Sequence, residues 1–232
     1  MAAVDSLGTD TLEPLLPAGR AHVWWRRWCE VQPRPDLLDA REHGRLNGFR
    51  RAEDARRFLA GDIVLRSAAA MAEGCTLDEV RVARTCNRCG GPHGAPRLVG
   101  STWRVSVTHS GAWIGVALAR RPAGIDVEAP PGLERVSGLT DFVLGASAHA
   151  EPGPAQLLRT WVRKEAALKA WGVGLLAPMH RVTVTDGSRP ECWTARLGAM
   201  PEVGGVDLLS PQKGYPAAVA VVGPVGPEVM TH

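Results

Sequence analysis

Lysine is almost missing from this chain. Of its 27 basic residues only Lys164, Lys169 and Lys213 are lysines, and the rest of the positive charge is written as arginine. Long apolar runs are missing as well. The 232 residues are 45% hydrophobic, but no stretch approaches the roughly 18 apolar residues of a membrane span. The first ten residues lack a basic region followed by an apolar one, which argues against secretion. Five cysteines are an odd number and do not read as a disulfide framework, so a cytoplasmic protein is expected. The formal net charge of +3 is too mild for a dedicated nucleic-acid binder, and no aromatic-plus-basic RNA motif is present.

Two of the three lysines stand five residues apart around Glu165, in Trp161-Val-Arg-Lys-Glu-Ala-Ala-Leu-Lys-Ala-Trp171. Pro152-Gly-Pro154 precedes this run, and Gly172 and Gly174 follow it, which predicts a helix over 155–171. At about 100° per residue, Leu157, Leu158, Trp161, Leu168 and Trp171 form one apolar stripe, with Glu165 inside it. A carboxylate on the core-facing side needs a partner, a metal or a role. Lys169 lies one turn on, in the favourable Glu-to-Lys order, so the plainer reading is an internal ion pair supporting the helix.

A second acidic element follows the apolar run Trp113–Ala119. In Gly124-Ile-Asp-Val-Glu128 the period-two pattern puts Asp126 and Glu128 on the same face of a strand, about 7 Å apart at Cα. Two acids so placed repel unless a cation lies between them, and oxygen-only ligands suit Mg²⁺ better than zinc. The plainer reading is a solvated edge strand.

Arg41, Arg45, Arg50, Arg51, Arg56, Arg57 and Arg66 gather in one N-terminal stretch. They read either as a solvated helix face or as a surface steering a polyphosphate or an acidic partner. Cys86-Asn-Arg-Cys89, with His93 four residues on, has the look of a zinc knuckle. A closed structural site takes four ligands, and Cys75 or Cys192 would have to supply the fourth. The plainer expectation is free thiols in a Gly/Pro loop, dispensable for chemistry and without stoichiometric zinc. A redox role would need a thioredoxin-like βαβ context, which is absent.

The pattern predicts loose residues 1–15, one or two helices over 36–72, and strands at 103–109, 113–119 and 124–128. Helices follow between 132 and 149, then the 155–171 helix and strands near 180–185, 191–197 and 216–222. Phe58, Leu59, Ile63, Val64 and Ala68 form a helical apolar stripe. The expected fold is α+β and pseudo-duplicated. Its halves, 1–121 and 122–232, meet near Arg121-Pro122, each a small antiparallel sheet packed with helices, with the active site between them.

G-I-D-V-E, followed some 35 residues later by W-x-x-K-E-A-x-x-K-A-x-G-x-G-L, resembles the Sfp-type 4′-phosphopantetheinyl transferases. Upstream, Trp103-Arg-Val-Ser-Val-Thr-His-Ser-Gly111 is similar to that family's strand ending in Ser-His-Ser, and Glu53–Arg66 to its N-terminal helix. The likeness runs from about residue 40 to residue 180. It implies transfer of phosphopantetheine from coenzyme A to a serine of an acyl or peptidyl carrier protein, with release of 3′,5′-ADP. It further implies Mg²⁺ held by Asp126, Glu128 and Glu165, with Glu165 or a metal-bound water as base and Lys169 balancing phosphate charge. Thr108 and His109 would contact phosphate, Arg45 and Arg57 the 3′-phosphate, and Gly94 and Pro96 would line the coenzyme A loop.

Three departures stand out. Gly94-Ala-Pro96 replaces the family's Gly-Lys-Pro, Thr108 replaces the first serine, and no acid follows Phe142 until Glu151. A monomer is expected, with no nucleic-acid or membrane partner. The competing readings are a non-catalytic coenzyme A or carrier-protein binding module, and a Mg²⁺-dependent phosphohydrolase, which the lack of a His–Asp pair near Glu165 disfavours.

Overall fold

The computed structural model describes residues 20–86, 88–130, 139–145 and 152–232. The expected loose N-terminus and most of the 132–149 helical region, with Glu151, lie outside the described residues. The elements are β1 (Arg20–Arg27), α1 (Ala40–Asn47), α2 (Ala52–Glu73), β2 (Val82–Ala83), β3 (Arg97–Leu98), β4 (Arg104–Ser110), β5 (Trp113–Ala119) and β6 (Ala123–Val127). Then come α3 (Thr140–Leu144), α4 (Pro154–Ala170), β7 (Thr183–Asp186), β8 (Cys192–Arg196), β9 (Val203–Asp207), β10 (Ala217–Val222) and β11 (Glu228–Thr231).

Two sheets carry the fold, in the orders β11-β1-β5-β4 and β6-β10-β9-β8-β7. All pairings are antiparallel except β1 with β11, which brings the C-terminal strand back to the first sheet. The period-two alternation explains why these strands read as nearly continuous apolar runs. On β5, Ile114, Val116 and Leu118 meet α2, while Ala117 and Ala119 join Ala21 and Val23 of β1. On β10, Ala218 and Ala220 meet α4, while Val219 and Val221 join the same second layer of contacts. The stack is helix, sheet, sheet, helix, and the small residues let the two sheets approach. This is the expected α+β class with antiparallel sheets.

Strands β1, β9 and β11 escaped the sequence reading. Val203-Gly-Gly-Val-Asp207 reads as a turn, yet it pairs on both sides. A Cβ on Gly205 would fall 2.2 Å from the Trp193 ring, so the glycine makes room for the buried indole. The single stripe expected on α4 is wider in the structure, because Val162–Leu168 are buried on every side. Strands β6, β9 and β10 cover one face of the helix, and α3 with the short turns at 174–181 covers the other. The helix stop is as expected. Gly172 has φ +71°, its N–H donates to Lys169 O (3.0 Å), and Val173 N–H donates to Leu168 O (3.1 Å).

Candidate active site

The edge strands of the two sheets, β4 and β6, lie side by side without a backbone ladder. Hydroxyls at alternate positions of β4 replace it. Ser106 Oγ accepts from Ile125 N–H (3.1 Å), Thr108 Oγ1 from Val127 N–H (3.3 Å) and Ser110 Oγ from Ala129 N–H (2.8 Å). The same side chains hold the acids of β6. Thr108 donates to Asp126 Oδ1 (3.0 Å) and Ser110 donates to Glu128 Oε2 (2.8 Å). Thr108, expected at phosphate, is therefore buried with its hydroxyl turned to Asp126. Ser106 and Ser110 were missed by the sequence reading. Their signal was present, as three hydroxyls at period two on a strand that should be apolar on both faces.

Helix α4 is pressed onto this seam at Gly124. A Cβ there would lie 2.0 Å from Ala166 O and 2.8 Å from Lys169 Cβ, so only glycine admits the approach. The contact delivers Lys169 to β6, where its Nζ donates to Asp126 Oδ1 (2.6 Å) and to Ile125 O (3.0 Å). The Glu165–Lys169 pair of the plainer reading is not what forms. Lys169 pairs across to Asp126, and no ion pair of Glu165 within 4.0 Å occurs among the described residues. A buried carboxylate on a neighbouring strand outcompetes an i, i+4 pairing worth only about 0.2–0.5 kcal/mol.

Lys164, on the other side of Glu165, faces away. It donates to Val143 O (2.7 Å) at the end of α3 and to Met179 O (3.3 Å), and burial lowers its ammonium to about 8. This lysine closes a helix C-terminus.

What remains is a cluster with more negative charge than partners. Asp126 is 4% exposed and Glu165 7% exposed. Asp126 Oδ2 and Glu165 Oε1 are buried with no hydrogen-bond partner among the described residues. Burial pushes the Glu165 carboxyl up to about 7; Lys169 opposes the rise, and repulsion from Asp126 and Glu128 adds to it. Burial, then Asp126, also raises Glu128, against the hydrogen bonds from Ser110 and the Trp161 indole. Such unpaired buried oxygens mark a place where a cation or a proton is missing. The donor set, oxygen only and carboxylate-rich, fits a hard divalent ion. The three acids do not bring one oxygen each to within 4.8 Å of one another, and one oxygen of Asp126 is taken by the Lys169 ammonium.

His109, near the end of β4, is exposed and follows Thr108, which holds Asp126. Crowding there, then the charges of Lys169 and Arg57, push its imidazole below the ordinary value. Arg57 thus reaches this neighbourhood; its guanidinium is held by Glu53 and by Asp54 (3.4 Å) and lies 5.4 Å from the Trp28 ring. Arg45 sits over Phe58 (4.9 Å) and lines a separate cavity of about 730 Å³ with Arg41, Phe49, Gly90, Pro92 and His93. Gly94 belongs to the loop walling that cavity and is pinned by Gly94 N–H to Arg84 O (2.8 Å), with no room for a Cβ against Thr85 O. Pro96 is half-buried just beyond. Of the arginine cluster, Arg41, Arg50, Arg51 and Arg56 are exposed, while Arg66 is buried.

No helix among the described residues is long and apolar enough to cross a membrane. Residues 122–220, which include β6, α4 and the acids, match the profile of the 4′-phosphopantetheinyl transferase superfamily. A 4′-phosphopantetheinyl transferase of Bacillus subtilis is 31% identical over 152 residues, covering 63% of this chain and 66% of that protein. The 4′-phosphopantetheinyl transferase Sfp of Bacillus subtilis strain 168 is 29% identical over 59% of this chain and 61% of its own length. A phosphopantetheinyl transferase of Thraustochytrium is 27% identical over 70% of this chain and 66% of its own. The chain thus spans just under two-thirds of the length of each of these relatives.

Proposed function

We propose that the chain is a member of the 4′-phosphopantetheinyl transferase superfamily, which the match of residues 122–220 and the 31% identical relative support, and that it moves phosphopantetheine from coenzyme A to a serine of an acyl or peptidyl carrier protein, releasing 3′,5′-ADP. The observation that carries this reading is the half-satisfied acid cluster on the β4–β6 seam. It combines a deeply buried Glu165 without an ion pair, a strand acid with an orphaned oxygen, and a lysine tied to that acid. A merely structural cluster would balance its buried acids with as many cations, as Glu42 and Asp62 are balanced by Arg66 and Arg84.

In this reading Asp126, Glu128 and Glu165 hold Mg²⁺. When bound, the ion would supply positive charge against the pyrophosphate of coenzyme A. Glu165, poised near neutrality, takes the proton of the attacking serine hydroxyl. Lys169 places positive charge beside the pyrophosphate oxygens as charge builds on the leaving group. Thr108 and Ser110 orient Asp126 and Glu128, and His109 is left open to meet phosphate. Arg57, on the same side as His109, and Arg45, in the neighbouring cavity with Gly94 and Pro96 close by, offer forked contacts to the 3′-phosphate. The two sheet-plus-helix units would then be halves, 1–121 and 122–232 apart from the returning β11, with the reaction on the seam between them. We take the enzyme to be a cytoplasmic monomer.

The test is to incubate the protein with coenzyme A, Mg²⁺ and one apo carrier protein, and to read the intact mass of the carrier. The expected result is a gain of one phosphopantetheine on its serine, abolished by chelator and restored by Mg²⁺. Tight coenzyme A binding without any mass gain, across several carriers, would instead make the chain a binding module.

A further inference from the structure

The loop that walls the Arg41–Arg45 cavity carries chemistry that the transferase reading does not use. Among the described residues, the one group of three metal-ligating side chains with an atom each within 4.8 Å of the others is Cys86, Cys89 and His93. Cys89 Sγ and His93 Nε2 are 2.9 Å apart. With Zn–S near 2.3 Å and Zn–N near 2.0–2.1 Å, the edges of a zinc tetrahedron are roughly 3.5–3.8 Å, so a small spreading of this trio admits the ion.

The backbone is shaped for it. Cys86 N–H donates to Gly91 O (2.8 Å) and Gly90 N–H to Cys86 O (2.9 Å), closing a tight turn around the first sulfur. The N–H groups of Cys89 and Arg88 point at that sulfur. Gly90 has φ +72°, which an L side chain rarely adopts. A Cβ on Gly91 would meet His93 Cδ2 at 3.1 Å and Cys89 Sγ at 3.3 Å, so a glycine there keeps the middle of the trio clear. Neither Cys75, packed beside the α2 core, nor Cys192, on β8 in the second sheet, falls within the group.

We propose that Cys86, Cys89 and His93 form a binding site for a soft divalent ion, Zn²⁺, with the fourth coordination position open to solvent. The sequence argued for free thiols because the fourth ligand, Cys75 or Cys192, was not evident; the structure argues for metal because three ligands already converge. The ion would fix the 86–94 loop against α1, since His93 is both ligand and cavity wall.

The proposal is tested on the full chain without coenzyme A or carrier protein, so its outcome is independent of the transferase reading. Protein purified without chelator should carry one equivalent of zinc. Replacement by Co²⁺ should give thiolate-to-cobalt charge-transfer bands and the d–d bands of a four-coordinate ion. Cys86→Ser should remove both the zinc and the bands, and His93→Gln should weaken zinc retention at least tenfold in a chelator competition while leaving the charge-transfer bands. If Cys86→Ser does not fold, chelator-stripped wild-type chain serves instead, and it should recover the same bands with Co²⁺. Substoichiometric zinc with no thiolate bands, zinc that persists in Cys86→Ser, or a Cys86–Cys89 disulfide in protein prepared under reductant would each overturn the assignment.

Discussion

The molecule holds two buried charge clusters, and they are built in opposite ways. Beneath α1 and α2, Glu42 and Asp62 face Arg66 and Arg84, two acids against two guanidinium groups. Arg66 donates to Asp62 Oδ2 (2.6 Å) and Glu42 Oε2 (2.8 Å), Arg84 donates to Asp62 Oδ1 (2.8 Å), and Arg84 Nε lies 3.5 Å from Glu42 Oε1. The Asp39 N–H also donates to Glu42 Oε2 (3.1 Å), in a capping box at the start of α1. On the β4–β6 seam, three carboxylates stand near one lysine that is tied to Asp126 alone, and among the described residues Asp126 Oδ2 and Glu165 Oε1 find no hydrogen-bond partner. Burial alone therefore does not distinguish a site from a strut. The balance of charge does: in the first cluster two guanidinium groups face two acids, and even the two atoms without a hydrogen bond, Glu42 Oε1 and Arg84 Nε, stand 3.5 Å apart as an ion pair, whereas in the second three acids face one ammonium.

The comparison breaks most sharply at Glu165. If the seam is the reacting centre, Glu165→Gln lowers transfer on the order of 10²–10⁴-fold, the scale of general-base loss. The melting temperature should hold or rise, because a disfavoured buried charge is gone. Initial rates and melting curves across a Mg²⁺ titration decide it. A variant that melts far lower yet keeps its rate at low temperature would return Glu165 to a structural role.

The opposite behaviour is expected from the paired cluster. Asp62→Asn leaves Arg66 and Arg84 with Glu42 as their one remaining carboxylate and should cost roughly 3–5 kcal/mol of stability. The rate per folded molecule at low temperature should be unchanged. Denaturant titration with an activity assay reads both, and equal losses of rate and stability would show that the clusters are coupled.

A smaller effect sharpens the contrast through pH. The folded-state value of Glu165, about 7, lies above its ordinary 4.5, so the fold disfavours the ionised form. That cost is absent below the unfolded value and complete above the folded one. Metal-free protein should lose up to about 3 kcal/mol of stability from this group as pH rises from about 4.5 through 7. Glu165→Gln should flatten that part of the slope, and excess Mg²⁺ should flatten it in the parent chain by favouring the carboxylate. Denaturation curves at several pH values give the answer; identical slopes in parent and variant would remove Glu165 as the cause.

Particular residues show why part of this was legible beforehand. Pro154, Gly172 and the run between them specify a helix by local rules, and the alternation in Gly124–Glu128 specifies a strand with both acids on one face; both elements form where expected. Strands β1, β9 and β11 were hidden because pairing reaches partners more than 200 residues away, and because Gly205 of β9 makes room for the Trp193 ring. The arginine stretch looked uniform in sequence, whereas folding sends Arg66 inward to Asp62 and leaves Arg41 exposed.

The sequence by itself determined the helix that carries Glu165 and Lys169 and the strand that carries Asp126 and Glu128, because each follows from short-range periodicity and end signals. Only the tertiary structure decided which charges meet. Gly124 lets α4 touch β6, so Lys169 goes to Asp126 instead of Glu165, and Lys164 turns to the end of α3. It also drew two cysteines and a histidine together in one loop. Partner choice depends on distances between elements, and those are fixed by packing, which no local pattern encodes.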